Sequence, residues 1–325
     1  MTQAMNERTF ISMDAPSTLQ EAIIYFSDPD RAFQCALSLR WPDGQVTCPR
    51  CGSEKHAFIK TRRIWECYGC KKQFSLKVGT IFEDSALGLD KWMCAFWLLC
   101  NSKNGISSCE LARSLGVTQK SAWFMLHRIR KTMMDGGGKV GGSGPVEIDE
   151  TFYGGKVKNM HKNKIPKGVA TNGGGNKAIV LGMLERGGKV KARVIADRKK
   201  PQIDPVVTEC VEAGANIITD EFTTYGFLET PYQRDIINHA IEYVNGHIHT
   251  NGIENFWSCL KRGLTGTYIS VEPFHLDAYV HEQVFRYNNR KNMSDKTRFE
   301  SAMRNVAGKR LTYNELIGVG AATSH

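Results

Sequence analysis

Two cysteine pairs constrain this chain more than any other feature. Cys48-x-x-Cys51 and Cys67-x-x-Cys70 are separated by 15 residues. Each pair can form a tight knuckle, with Gly52 after the first and Gly69 inside the second to permit the turns. Four thiolates at this spacing can close a tetrahedral zinc site with no open position, so the metal expected is structural. The stretch between them, "EKHAFIKTRRIWE", is β-prone but too short to build a core of its own. Zinc binding would supply on the order of 10 kcal/mol of folding free energy. His56 lies between the pairs but outside the four-cysteine pattern.

Six further cysteines (Cys35, Cys94, Cys100, Cys109, Cys210, Cys259) are scattered and read as small buried hydrophobes. The N-terminal "MTQAMNERTFISMD" has no apolar core followed by a cleavage site, so no secretory signal is read there. A cytoplasmic location, associated with the bacterial nucleoid, is expected, and thiols rather than disulfides. The longest apolar run, Trp92–Cys100, is about half the ~18–20 residues that a bilayer span needs. A formal net charge of +10 favours a polyanionic partner, nucleic acid before a membrane surface. Arg50, Lys60, Arg62, Arg63, Lys71 and Lys72 place part of that charge in the cysteine module.

The pattern changes along the chain. Ser17–Leu39 reads as one or two short helices, with Ser17 as first cap and a break at Asp28–Asp30. The cysteine module follows and ends near Phe82, and Ser85–Met134 is helical by periodicity. "DGGGKVGGSGP" (Asp135–Pro145) holds six glycines and reads as a linker. Beyond it, "VEIDETFYGG", "KAIVLGMLERGGKVKARVIAD" and "ANIITDEF" are strand-like, with a hairpin at Gly187–Gly188. Helices are expected around Pro205–Ala213, Gly252–Leu264 and His275–Asn288, an α/β order. Lys156–Asn176, basic and glycine-rich, reads as a mobile loop.

"ISSCELARSLGVTQKSAWFMLHRIRKTM" (Ile106–Met133) has the layout of a helix-turn-helix. Ser107 or Ser108 caps one helix, Gly116 ends it, and Thr118 caps the next. Ala122, Met125, Leu126 and Ile129 give the second helix its apolar face. Gln119, Lys120, Ser121, His127, Arg128 and Arg130 form the face expected to meet a major groove. An ordinary helical hairpin would show the same apolar periodicity.

Three carboxylates carry the chemistry. Asp149 lies in a strand of apolar and β-prone residues, where an ionised group is costly unless compensated. Asp220 ends a second apolar strand. Glu254 begins a helix in which Glu254, Ser258 and Lys261 fall on one face beside the stripe Ile253, Phe256, Trp257, Leu260 and Leu264. An apolar setting for Glu254 would then be offset by a metal. In-line attack on a phosphodiester calls for charge stabilisation at the attacking and leaving oxygens, which two divalent cations about 3.5–4 Å apart can supply. Mg²⁺ prefers such carboxylate oxygens to Cys or His.

The chain resembles the DDE transposases of bacterial insertion sequences, in the group with an N-terminal zinc ribbon, a helix-turn-helix and an RNase H-like, ISXO2-like catalytic domain. The resemblance rests on "WPDGQVTCPRCGS", "CYGCKKQFSLKVGTIFEDS", "ELARSLGVTQKSAWFMLHRIR", "VEIDETFYGGK", "TDEFTTY", "HTNGIENFWSCLKRGLTGTY" and "HLDAYVHEQVFRYNNR", in order from about Leu19 to Arg290. It implies a multi-domain fold: helices and zinc ribbon over 17–82, helix-turn-helix over 83–134, linker over 135–145, an α/β RNase H-like core with a mixed sheet flanked by helices over 146–292, and a tail over 293–325. It implies cleavage and joining of element ends with Mg²⁺ or Mn²⁺, bound by Asp149, Asp220 and Glu254, with Lys261 as an extra basic position. Double-stranded DNA is the implied partner, met by Gln119, Lys120, Arg128, Arg130 and Arg262, with the protein a homo-oligomer on it. Some relatives use Asn as the third ligand, and Asn251 and Asn255 flank Glu254 here. Two other readings share these motifs: a non-catalytic DNA-binding regulator and a zinc-ribbon nuclease without strand transfer.

Overall fold

Local capping sets the first helices. The Thr18 side chain accepts from the Glu21 amide at 3.3 Å while Glu21 reaches back to the Thr18 amide, a capping box that opens α1 (Leu19–Ser27). Thr18 thus takes the cap expected of Ser17. Asp28 accepts from the amides of Asp30 and Arg31, and Pro29 fills the first turn of α2 (Pro29–Arg40). The computed structural model describes residues 15–134, 137–155, 177–220, 223–229, 232–237 and 250–319. The expected loop Lys156–Asn176 lies outside them.

The chain divides into two units, Met1–Met133 with Asn292–His325, and Met134–Lys291. In the first, β1 (His56–Ile59), β2 (Ile64–Cys67) and β3 (Gln73–Ser75) form an antiparallel sheet in that order. Buried Trp65 on β2 stacks between Phe74 at 5.6 Å and Phe33 of α2 at 6.0 Å, which docks the small sheet on the helices. The helical stretch then resolves into α3 (Leu89–Asn101), α4 (Ser108–Leu115) and α5 (Gln119–Met133). Ser107 caps α4, and Gly116 ends it in the left-handed conformation at φ 60°. The Thr118 hydroxyl accepts from the Ser121 amide at 3.1 Å, opening α5.

The second unit is built on a five-stranded mixed sheet. β4 (Val146–Tyr153), β5 (Ala178–Glu185) and β6 (Val190–Ile195) are an antiparallel meander whose β5–β6 turn has Gly187 at φ 74°. After α6 (Lys200–Cys210), β7 (Asn216–Asp220) returns parallel to β4, and β8 (Gln233–Ile237) lies parallel to β7. The order is β6-β5-β4-β7-β8. α7 (Asn251–Arg262) and α8 (Leu276–Asn288) follow. Strand alternation splits the core in two. Val146, Ile148, Leu181 and Met183 pack with Ile203 and Val207 of α6 on one face. Val180, Leu184 and Ala192 pack with Ile253, Phe256 and Trp257 of α7 and Val280 of α8 on the other. α6 starts five residues before the expected Pro205, because Pro201 in its first turn suits a helix start.

Two expected boundaries are corrected. The glycine-rich stretch is not a free linker over its described part. Val140 is buried, its amide donates to the Cys210 carbonyl at 2.8 Å, and its carbonyl accepts from Glu212 at 2.8 Å. Gly141 has φ 101°, and a Cβ there would stand 2.7 Å from that of Ala215. The segment 293–325, read as a tail, instead carries α9 (Asp295–Met303) and α10 (Tyr313–Leu316) and belongs to the first unit. Phe299 of α9 is buried against Phe26 and Trp97, and the Ile81 amide donates to the Val306 carbonyl at 3.1 Å.

Candidate functional site

In the first unit, the four cysteines converge. Cys48 and Cys70 sulfurs lie 3.8 Å apart, those of Cys51 and Cys67 3.5 Å, and all four fall within 4.8 Å of one another. The Gly52 amide closes the first knuckle on the Cys48 carbonyl at 2.8 Å, and the Lys71 amide closes the second on Cys67 at 3.0 Å. Gly52 takes φ 72°, as the sequence suggests, but in the second knuckle Lys71 takes the left-handed turn at φ 58°. Gly69 serves a different need: a Cβ there would stand 3.0 Å from Ser53 Cβ. The amides of Cys70 and Gly69 hydrogen-bond the Cys67 sulfur and lower its pKa, while contact with that sulfur raises the pKa of Cys51 beside it. His56 turns away, its Nε2 2.9 Å from the Val46 carbonyl. This donor set fits a structural zinc.

In the second unit, Asp149 and Asp220 lie on neighbouring strands. β4 and β7 pair Val146 with Ile217 and Glu147 with Ile218, and the same register carried forward sets Asp149 level with Asp220. Both fall on the sheet face that α7 covers. Burial first, and then the charges of Asp220 and Glu254, raise the Asp149 pKa, although the Trp257 indole opposes them. Glu254 is exposed on the first turn of α7, its Oε1 3.3 Å from the Thr250 hydroxyl. This corrects the expectation of apolar surroundings: Ile253 and Phe256 take the buried positions and leave Glu254 at the rim. Among the described residues, only the four cysteines form a metal-competent group with donor atoms within 4.8 Å; the three acids stand further apart. Asn251, Asn255, Ser258, Lys261 and Arg262 are exposed on the same helix.

Four residues of this site escape motif reading. Glu147, fully buried, accepts from the Ile253 amide at 2.8 Å and from Arg186 Nε at 2.7 Å, so it fastens the α7 N-terminus to β4. Trp257 donates Nε1–H to Asp149 Oδ2. Gly182, opposite Asp149 on β5, makes room for it: a Cβ would lie 2.6 Å from the indole ring. Glu150 faces the other side, toward Tyr225, and burial lifts its pKa to about 7, with the charges of Asp149 and Asp220 adding to the rise. Alternation along "VEIDE" places Glu147 beside Asp149 and Glu150 behind it. That is the one signal the sequence offered.

The face of α5 expected to meet DNA is only partly exposed. Gln119 and Lys120 are exposed; Gln119 Nε2 donates to the Ser108 hydroxyl at 2.8 Å, and the Lys120 ammonium lies 4.5 Å from the Tyr313 ring centre. Arg128 and Arg130 are 4% and 1% exposed. Arg128 donates to the carbonyls of Ile81, Glu83 and Leu311 at 2.7–3.0 Å and stacks on Phe124. Arg128 and Arg130 therefore do not line a groove-reading face. The returning C-terminal segment covers the second half of α5 on what looked like its polar side.

Comparison with known proteins agrees with these units. An ISXO2-like transposase domain matches residues 142–288, and a transposase zinc-ribbon domain matches residues 27–73. An uncharacterized protein in transposable element ISH50 of Halobacterium salinarum is 26% identical over 253 residues, covering 74% of this chain and 84% of the relative. No solved structure matches. No helix among the described residues is long and apolar enough to cross a membrane. DNA is the partner that transposase domains imply. With the acid-bearing sheet inside one match and the cysteine knuckles inside the other, the chain belongs to the ISXO2-like transposases of insertion elements.

Proposed function

We propose that the protein binds the terminal inverted repeats of its element and catalyses metal-dependent strand cleavage and strand transfer on an RNase H-like core. The observation that carries this reading is the placement of Asp149 level with Asp220 on one sheet face, with the charge of Glu254 felt at Asp149. The meander β4–β5–β6 followed by parallel β7 and β8 supports the RNase H-like assignment. Mutual repulsion among carboxylates is what a divalent cation relieves, and an all-oxygen donor set suits Mg²⁺ or Mn²⁺.

Asp149, Asp220 and Glu254 would hold the catalytic cations, two by the chemistry of the reaction, which supply Lewis-acid stabilisation of the attacking and leaving oxygens. Trp257 orients Asp149, and Glu147 fixes the helix that carries Glu254. Lys261, exposed two turns along that helix, contacts substrate phosphate, with Arg262 beside it. Positioning and charge stabilisation suffice for attack by water or a terminal 3′-hydroxyl, with no covalent enzyme intermediate. The α4–α5 hairpin acts as the DNA-binding helix-turn-helix through Gln119 and Lys120 at the exposed start of α5. The zinc ribbon adds basic phosphate contacts, and the protein assembles as a homo-oligomer on paired ends.

A strand-transfer assay on labelled inverted-repeat ends in Mg²⁺ tests this. Asp149→Asn, Asp220→Asn and Glu254→Gln are expected to abolish cleavage and joining and to retain end binding. Undiminished cleavage in Glu254→Gln with none in Asn255→Ala would transfer the third position to Asn255. Binding without cleavage in the wild type would make the protein a regulator. Cleavage without joining would make it a nuclease.

A further inference from the structure

The segment after α7 presents an apolar side chain on strained backbone. The Ser270 amide donates to the Tyr268 carbonyl at 2.6 Å, and Ile269 between them has φ 63°. A bond from residue i+2 to residue i over a positive φ is the rarer, strained hand of γ-turn, and a β-branched residue is an outlier there. Such strain persists where the surroundings over-determine it. The Tyr268 hydroxyl donates to Glu282 of α8, and its ring meets Tyr279 edge-on at 4.6 Å. On the other flank, Val271 is buried and its amide donates to the Tyr153 hydroxyl at 3.3 Å.

Ile269 itself is 79% exposed, so the turn is not built to bury it. Phe274, five residues on, is 64% exposed. The segment starts directly after exposed Lys261 and Arg262, and Glu272 is its one acid before α8. Two anchored flanks, an apolar tip and cations at the end of the preceding helix together match a DNA duplex better than an apolar protein surface. Apolar wedges of this kind enter base steps and unstack them. A rigid turn loses little freedom on insertion.

We propose that Ile269 is such a wedge, entering the bound duplex beside the cleaved phosphodiester and unstacking one base step. The proposal rests on the reading of α7 as the helix that faces DNA. The test uses terminal-repeat duplexes carrying 2-aminopurine at successive positions around the cleavage site. Wild-type protein should raise the fluorescence at one position on binding. Ile269→Gly suits the positive φ, so its melting temperature should equal or exceed wild type. It should still bind the duplex, lose the fluorescence rise and cleave about tenfold or more slowly. Ile269→Leu should keep the rise. An undiminished rise in Ile269→Gly overturns the proposal, as does the absence of any rise in wild-type protein that binds and cleaves. Wild-type protein that neither binds nor cleaves these ends would instead sink the functional reading, and the wedge with it.

Discussion

Trp257 donates its indole N–H to Asp149 Oδ2 at 2.8 Å, tying α7 to a strand 108 residues earlier. The bond fixes one carboxylate oxygen of a group that also feels the charges of Asp220 and Glu254. It also favours the ionised form, against the burial and neighbouring charges that raise the Asp149 pKa.

Trp257→Phe keeps an aromatic side chain on this face of α7 and removes the donor, together with the edge of the indole that packs over Gly182. The Asp149 pKa should then rise further. A reaction that needs the ionised carboxylate should lose its activity at a higher pH, so the acidic limb of the pH–rate profile should move upward. The loss in rate at neutral pH should be partial, on the order of tenfold, as expected for about 1.4 kcal/mol. An unmoved acidic limb would remove Trp257 from this role.

Glu150 links stability to pH. Its folded pKa of about 7 stands above the ordinary 4.5, so the fold favours the protonated carboxyl. Its stabilising contribution is therefore full below pH 4.5 and is lost as pH rises through about 7. In buffer without magnesium, the melting temperature of the second unit should fall over that window. Glu150→Gln should flatten the fall, and a slope unchanged by the substitution would show that other groups set it.

Zinc should return at about one ion per chain in metal analysis. Chelation, or Cys51→Ser, should unfold the small sheet, seen as loss of the signal from Trp65 that packs between Phe33 and Phe74. Protein that is well folded and free of zinc would refute the assignment.

Arg128→Ala should act on stability and not on sequence reading. It strips three backbone carbonyls of a buried charged donor, at a cost of about 3 kcal/mol or more. Proteolysis should reach the segment around Leu311 sooner. Lys120→Ala, at an exposed position, loses only its contact with the Tyr313 ring and should lower melting far less than Arg128→Ala, but it should weaken end binding, with a shallower salt dependence. Equal melting temperatures for Arg128→Ala and wild type would contradict the buried assignment.

Local rules made much of the architecture legible. Alternation marked β4 to β7, paired glycines marked the β5–β6 turn, and the cysteine spacing marked the knuckles. What escaped depended on distant chain. Arg128 and Arg130 have the composition of a solvated face, yet both are buried, and Arg128 is held there by the carbonyls of Ile81, Glu83 and Leu311 from remote parts of the chain. Glu147 looked like an ordinary strand residue because its partner, the Ile253 amide, lies 106 residues on. Gly182 gave no turn signal, since its role is to clear space for a ring from another element. Glu254 has apolar neighbours along the sequence, but Ile253 and Phe256 take the buried positions and Glu254 is exposed on the adjoining face.

The return of the C-terminal helices has a consequence for how the chain is made. Phe299 fills the first unit's core, Val306 pairs with Ile81, and Leu311 receives Arg128. The whole second unit is spliced between these partners. A ribosome therefore releases the cysteine module and α5 long before the residues that complete their core exist. The sheet carrying the acids can fold on the ribosome while the first unit still waits for its last pieces. A truncated product would keep the acids and leave the ribbon-bearing unit unfinished, so premature termination would separate the two halves more surely than any point substitution.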